Sequence, residues 1–515
     1  MHPGSDTVVL DGGAVSIEQV AAVAREGAPV ELGVPARRLL ESRRIELEDK
    51  ASSGRAVYGI STGFGALARV PIALDSRSAL QHAVVRSHAA GVGAPVEREV
   101  VRAMMLLRAK TLAMGLSGVR PVVVDALAGM LNAGITPLVP EHGSLGASGD
   151  LAPLAHVALA LAGEGPVLGA EGAAVNSSSA LAGAGLEPLR LEAKEGLALI
   201  NGTDGMLGML ALACVDAGSL FKTADVTAAM SVEALLGTDR PFAPALHAIR
   251  PHPGQAKSAA NLARLLAGSE VMASHRHSDH AVQDSYSLRC SPQVAGAARD
   301  TLDFALSVAG RELASAVDNP VVLPTGEVES TGNFHGAPLG FAADFLAIAA
   351  AEVGAIAERR LDRILDPVRS QGLPPFLAED AGVNSGLMLA QYTAAALVAE
   401  NRRLAAPASV DSLPTSGMQE DHVSMGWAAV RKLRRILANL AGILGIEVLC
   451  AARGLALRAP LAPAEGTEAV TRLVNGRTGG PGPDRHLGPE LEMAAALVGS
   501  GAILAAAEGA VGGLG

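Results

Sequence analysis

The chain has 515 residues, of which 49% are hydrophobic, 18% charged and 2% aromatic, with a formal net charge of -11. That balance excludes a disordered chain and supplies a large core. The acidic surplus and the absence of any Lys/Arg-rich block argue against nucleic acid as a partner.

The opening stretch, MHPGSDTVVLDGG, carries acidic residues and no basic run ahead of an apolar segment, unlike a secretory signal. Cys214, Cys290 and Cys450 are odd in number and scattered, so no disulfide framework is expected and the cytoplasm is the expected location. A strand is predicted over 7–10, then helices over 16–25, 35–49 and 97–114. Apolar periodicity predicts long helices over 205–236, 294–317, 339–365, 384–404 and 422–457. Such helices bury little alone and must pack as a bundle. A hairpin is predicted where 321–323 and 328–330 flank Pro324-Thr325-Gly326. A Gly/Pro-rich stretch over 476–488 precedes a last helix. The apolar runs 437–452 and 493–507 are short, Gly/Ala-rich or interrupted by Glu447, and are read as buried helices with no membrane partner. The fold expected is mainly α. Residues 1–115 form a smaller N-terminal α/β region, and 116–515 form an elongated helical body carrying residues 147–149.

The body's most unusual stretch is SLGASGDL, residues 144–151. If the amide nitrogen of Gly149 attacks the carbonyl of Ala147, a five-membered ring closes. Loss of two waters then leaves an imidazolone with an exocyclic methylene from Ser148. Gly149 has no Cβ, so its nitrogen can approach closely, Ala147 adds no bulk, and Ser148 supplies the departing hydroxyl. Asp150 would cap a following helix, with Pro153 tolerated in its first turn. The plain alternative is a turn and cap, since Ala-Ser-Gly arises by chance in an Ala/Gly-rich chain. A serine nucleophile elbow is a poorer one, because the G-x-S-x-G pattern fails at Asp150 and no strand leads in.

The longer run GSLGASGDLAPLAH (143–156) resembles the signature of the aromatic amino acid ammonia-lyases, whose prosthetic group is 4-methylidene-imidazol-5-one (MIO). VYGISTGFG (57–65), INGTDGMLG (200–208), VQDSYSLRCSPQV (282–294) and GNFHGAP (332–338) agree, in the family's order. The resemblance runs from about residue 15 to the C-terminus and is greatest to the histidine-acting, actinobacterial members. It implies a long-helix central bundle of the fumarase/aspartase-like type. It also implies an MIO formed autocatalytically from Ala147, Ser148 and Gly149, with no diffusible cofactor and no metal, and a homotetramer whose sites combine several chains. The reaction implied is conversion of L-histidine to trans-urocanate and ammonia.

Further residues carry over by motif. Tyr286 resembles the base that removes the β-proton, and Tyr58 a second tyrosine that handles protons near the amino group. A free tyrosine titrates near ~10, so such a base needs help. Arg289 would share its face if the segment is helical, and would favour the phenolate, although its implied role is to bind the substrate carboxylate. Asn201 and Gln283 resemble polar residues around that carboxylate. Phe334 resembles the aromatic beside the MIO ring, with Asn333 bonding nearby. His88, in RSHAAGVG, and Glu420, in MQEDHVSM, resemble the pair that contacts the substrate imidazole. Tyr392, mid-helix, reads as core packing. HRHSDH (275–280) has no fixed ligand spacing and is not read as a metal site. Ser61, Asp204, Gly205 and Met418 depart from commoner family residues near the pocket, a difference that bears on affinity and not on reaction type.

Other readings stay open. A tyrosine or phenylalanine lyase, or a 2,3-aminomutase, would keep the electrophile, and His88 and Glu420 weigh against them. A helical lyase without MIO would need a GSSxMPxKxN-type loop, which is absent. A non-catalytic helical assembly protein would keep Ser148 intact.

Overall fold

A computed structural model describes residues 6–52, 62–63, 70–169, 172–278 and 282–515. The chain divides into two compact units, each assembled from three stretches. One comprises Met1–Leu212, Leu306–Ala343 and Ala408–Arg431; the other comprises Ala213–Ala305, Asp344–Pro407 and Lys432–Gly515. Tyr58 and Ser61 lie outside the described residues, as does His280.

The first unit opens with the expected α/β element. Strands Val8–Leu10 and Val30–Leu32 pair in parallel, Val8 opposite Val30. The helix Ile17–Ala21 links them and continues as a π-turn over Ala22–Glu26. Ser16 starts it with a capping box, its hydroxyl accepting from Gln19 N while the Gln19 side chain accepts from Ser16 N. The helix Val34–Ser52 follows. Arg98–Ala113 is buried on every face from Val100 to Ala113, including Arg102, Arg108 and Lys110. A helix enclosed all round forms the middle of a core rather than one side of it. The predicted hairpin is present, Val321–Val322 pairing antiparallel with Val328–Glu329. Its Val322 is fully buried against Leu47.

The second unit consists of helices. A salt bridge at its centre joins several of them. Arg360, on the helix Ala337–Leu365, meets Glu447, on Gly426–Ala456, through Nε–Oε1 at 2.5 Å and Nη2–Oε2 at 3.0 Å. Thr227 and Ser231, on Asp204–Ala234, donate hydroxyls to the same carboxylate at 2.7 and 2.8 Å. Arg360 Nη1 donates to Ser291 Oγ at the start of Ser291–Leu313. Both charges are buried, so each depends on the other.

Several boundaries differ from expectation. The helix predicted over 294–317 stops at Leu313. The one predicted over 384–404 begins at Met388, and the one over 422–457 begins at Gly426. The Gly/Pro-rich stretch starts inside a helix, Glu465–Thr478, which ends where Gly479 turns left-handed at φ 82°. The apolar run 493–507 is not one helix. Gly488–Gly499 and Ala502–Val511 meet at a 60° bend, where Gly501 has φ 75°. Tyr392 is not core but 62% exposed. Its helix buries Ala390, Ala394 and Val398, a stripe at four-residue spacing that leaves Tyr392 on the far side. Among the described residues, three helices are long and apolar enough to cross a membrane by length and composition. In Gly426–Ala456 that window contains Glu447 and is 78% buried in protein.

Removing one partner of the Arg360–Glu447 pair leaves a buried charge. Glu447→Met and Arg360→Leu should each therefore cost about 3–5 kcal/mol, whereas the two together should cost much less than the single changes summed. Urea unfolding of the four proteins tests this. Additive losses would show that the two charges do not act as a pair.

Candidate active site

The stretch around Ser148 is a loop tied down at both ends. Before it, strand Pro140–His142 pairs with Val92–Pro95, and the single tryptophan, Trp427, donates its indole N–H to Glu141 O at 2.8 Å. Within it, Ser144 Oγ accepts from Gly146 N and donates to Asp150 Oδ1 at 2.8 Å, folding the loop onto itself. From outside, Met425 N donates to Leu145 O, and Ser424 Oγ donates to Gly146 O at 2.9 Å. Ala147 and Ser148 remain part-exposed while Gly149 and Asp150 are buried.

Gly149 has φ 72°, and any side chain there would collide with the peptide of Gly202. The contact is fixed by Asp150 N, which donates to Gly202 O at 2.7 Å. Among the described residues the Gly149 N–H itself makes no hydrogen bond. This is the arrangement cyclisation requires: a nitrogen without a competing partner, on a residue whose missing Cβ permits the close approach. The residues present fit MIO formation.

Asp150 corrects one expectation. It precedes the helix Leu151–Leu161 but makes no side-chain cap there. Its Oδ2 instead accepts from Met206 N at 2.8 Å, at the start of the helix Asp204–Ala234. The carboxyl is pulled across by Ser144 and by that helix's unpaired N–H groups. Burial pushes its pKa up to about 7, against the lowering effect of the Met206 and Ser144 hydrogen bonds.

Glu420 approaches the tripeptide from a separate stretch. Ser148 Oγ lies 3.4 Å from Glu420 Oε1, and Thr415 Oγ1 donates to Oε2 at 2.6 Å. Thr415 and Glu420 also exchange backbone hydrogen bonds across a turn in which Ser416, Gly417 and Met418 all have positive φ. Met418 itself is 69% exposed. Asn201 is buried, and its Oδ1 has no partner among the described residues. Phe334 is half-buried in the 331–336 turn, where Asn333 N donates to Thr331 Oγ1 and His335 N to Gly332 O. The next ring, His335, stacks on His422 at 5.6 Å between centroids.

His88 ends the helix Arg77–His88, with Nδ1 2.8 Å from Val84 O. A carbonyl only accepts, so Nδ1 carries the proton and Nε2 presents a lone pair. Three residues on, Gly91 N donates to His156 Nε2, and burial holds the His156 pKa below its ordinary value.

In the second unit, Tyr286 opens the short helix Tyr286–Arg289, so the condition for a shared face is met, with the Arg289 guanidinium 4.7 Å from the ring centroid. Tyr286 is 71% exposed. Gln283 lines a cavity of about 310 Å³ with Asp239, Arg240, His275 and Asp284. His275 Nε2 donates to Gly237 O at 2.6 Å. Among the described residues no group of three His, Cys, Asp or Glu side chains is arranged to hold a metal ion.

Residues 15–476 match the aromatic amino acid lyase family. The chain belongs to that family. A histidine ammonia-lyase of Streptomyces coelicolor is 58% identical over 507 residues, covering 98% of this chain and 99% of the relative. Among solved structures, a tyrosine aminomutase from Streptomyces globisporus superposes with TM-score 0.93 at 39% identity, covering 98% of this chain and 99% of that one. A histidine ammonia-lyase from Trypanosoma cruzi does so with TM-score 0.90 at 39% identity, covering 98% and 96%. The lyase fold accounts for the long helices, and the chain is a carbon–nitrogen lyase.

Two residues of this candidate site lie outside the motifs. Thr415 carries no signal of its own. Arg108 does: it is a charge in the apolar run MMLLRAK, inside a helix enclosed on all sides.

The raised Asp150 pKa has a consequence for stability. Folding takes up a proton between the ordinary carboxyl value of 3.8 and about 7. The stabilisation is full below about pH 4 and is lost as pH rises through about 7. Between pH 4 and 8 the wild type should therefore lose stability relative to Asp150→Asn, by at most about 1.4 kcal/mol per pH unit. Denaturant curves across that range test it, and parallel pH profiles for the two proteins would refute it.

Proposed function

We propose that the chain deaminates L-histidine to trans-urocanate, using an MIO group formed from Ala147, Ser148 and Gly149. The observation that carries this reading is the Ser148–Glu420 contact beside a Gly149 that has no room for a side chain. When formed, MIO supplies an electrophilic methylene at the position of the Ser148 side chain. The remaining work falls to ordinary side chains. Glu420, held by Thr415, places an acceptor next to that position for a ring N–H of the substrate imidazole. His88 offers a second acceptor at Nε2, since Val84 O claims its Nδ1 proton. Asn201 brings a buried amide, its oxygen without a partner among the described residues, to the polar end of the substrate. Arg289 and Gln283 bind the carboxylate, and Phe334 packs beside the ring. Tyr286 removes the β-proton at its phenolic oxygen and Tyr58 handles the proton near the amine.

We read the protein as a cytoplasmic homotetramer, in keeping with its family resemblance. In support, Tyr286 is exposed within one chain. Phe341, Phe345 and Ile348 are also exposed on Ala337–Leu365, a helix whose apolar window is only 56% buried. All three cysteines are unpaired. Tyrosine and phenylalanine chemistry is the runner-up, kept in view by the aminomutase superposition. The higher identity to histidine ammonia-lyases and the His88/Glu420 pair favour histidine.

Ultraviolet absorbance of the purified protein with L-histidine, L-tyrosine and L-phenylalanine in turn tests this. Urocanate should form, from histidine alone. Product from tyrosine or phenylalanine alone would defeat the specificity argument. His88→Leu should lower kcat/KM for histidine roughly 10- to 100-fold, the worth of one buried hydrogen bond to a charged or polar partner.

A further inference from the structure

We propose that Arg108 is the positioning residue on which the Ala147-Ser148-Gly149 tripeptide is seated for ring closure. The inference rests on the MIO reading above and concerns how the group comes to form.

Arg108 is fully buried in the middle of the Arg98–Ala113 helix. A buried guanidinium is costly unless its donors are used. Here two donors reach carbonyls of separate stretches: Nη1 to Asn201 O at 2.6 Å and Nη2 to Val317 O at 2.8 Å. Asp204 Oδ2 lies 3.3 Å from Nη1 and balances the charge. The other cations nearby are committed elsewhere, Lys110 to Ser315 O and Lys194 to Asp318. Arg108 therefore acts on the Asn201–Gly202 peptide alone among them.

That peptide is the floor of the tripeptide. The Gly202 Cα rests against the guanidinium: a Cβ there would sit 3.1 Å from Arg108 Cζ, and closer still to Nη1. On its other face, Gly202 O accepts from Asp150 N, and the Gly149 backbone packs against it. The contacts thus run from guanidinium to Gly202 to Gly149 without a gap. Three groups are stacked in that order: the Arg108 guanidinium, the Gly202 peptide, and the backbone of the attacking residue.

In ring closure a bond forms between Gly149 N and the Ala147 carbonyl carbon. The Ala147 oxygen leaves as water with the amide protons of Gly149 and Ser148. The Ser148 hydroxyl leaves with its Cα hydrogen as a second water. No outside reactant is needed. What is needed is that Gly149 N stays near the Ala147 carbon, and a misplacement of about 1 Å costs roughly 100-fold. A rigid floor beneath Gly149 supplies that restraint. A lysine would keep the charge but not the two-carbonyl fork.

The test is intact mass, with peptide mapping, of newly synthesised full chain sampled over time. Wild type should lose both waters. Arg108→Lys should lose them roughly 10- to 100-fold more slowly. Gly202→Ala, whose added methyl would meet the Arg108 guanidinium and Asp204 Oδ2 beneath the same floor, should also be slowed. Lys110→Met, which alters a buried cation in the same helix without touching the Asn201–Gly202 peptide, should match wild type. If Arg108→Lys does not yield folded protein, Gly202→Ala decides by the same readout. Loss of both waters at the wild-type rate in the Arg108 variant, or failing that in the Gly202 variant, would overturn the seating role and leave the MIO reading intact. So would an equal slowing in Lys110→Met, which would mark a general effect of core charge. Wild type that retains both waters would overturn the MIO reading and this inference with it.

Discussion

The contact between the Gly149 and Gly202 backbones is the constraint on which the rest of the site depends. It brings two stretches of chain closer than any side chain would permit. It is held by one short hydrogen bond, Asp150 N to Gly202 O, and by the Asp150 carboxyl, which reaches past its own helix to the first turn of Asp204–Ala234. The carboxyl thereby serves the start of Asp204–Ala234 and not that of its own helix. A helix start carries unsatisfied N–H groups and partial positive charge, so an acidic side chain is well placed there. Once Asp150 is fixed, the orientation of the preceding Ala147-Ser148-Gly149 follows.

The charges beneath the loop are consistent with this. Arg108, Lys110 and Lys194 are buried beside Asp204, Asp318 and the largely buried Glu312, with Asp150 close by. Burial raises the pKa of Asp150, Asp204 and Glu312 and lowers those of Lys110, to about 8, and Lys194. Its two ion pairs, Arg108 with Asp204 and Lys194 with Asp318, resist rearrangement, because breaking either leaves a buried charge alone. A rigid base suits the proposed chemistry, in which the reactive group would be made from backbone atoms.

Much of this was legible in the sequence, and the rest was not for identifiable reasons. Long helices were readable because apolar spacing is a local signal. The hairpin at 321–330 was readable from Pro-Thr-Gly between β-branched residues. The helix break at Gly501 was hidden because the apolar run continues across it. Tyr392 was misplaced because a hydrophobic residue in an amphipathic helix need not lie on its buried stripe. At the site, Ser148, Gly149 and Glu420 were named from their motifs, and the structure brings the Ser148 and Glu420 side chains to 3.4 Å. Asp150 was recognised as a cap but assigned to its own helix, since sequence order cannot reveal a helix start more than fifty residues on. Arg108 and Thr415 act only through tertiary contacts, with Asn201 and with Glu420. The compact units are discontinuous, whereas a linear reading divides the chain into successive segments.

The most direct measurement is made on Gly149→Ala. Its circular dichroism, intact mass and histidine turnover should be recorded together. The account predicts a folded helical protein that retains both waters and produces no urocanate, because a methyl group at 149 forces the attacking nitrogen away from Gly202. A Gly149→Ala protein that loses two waters and turns over histidine would show that the Gly149–Gly202 contact is incidental.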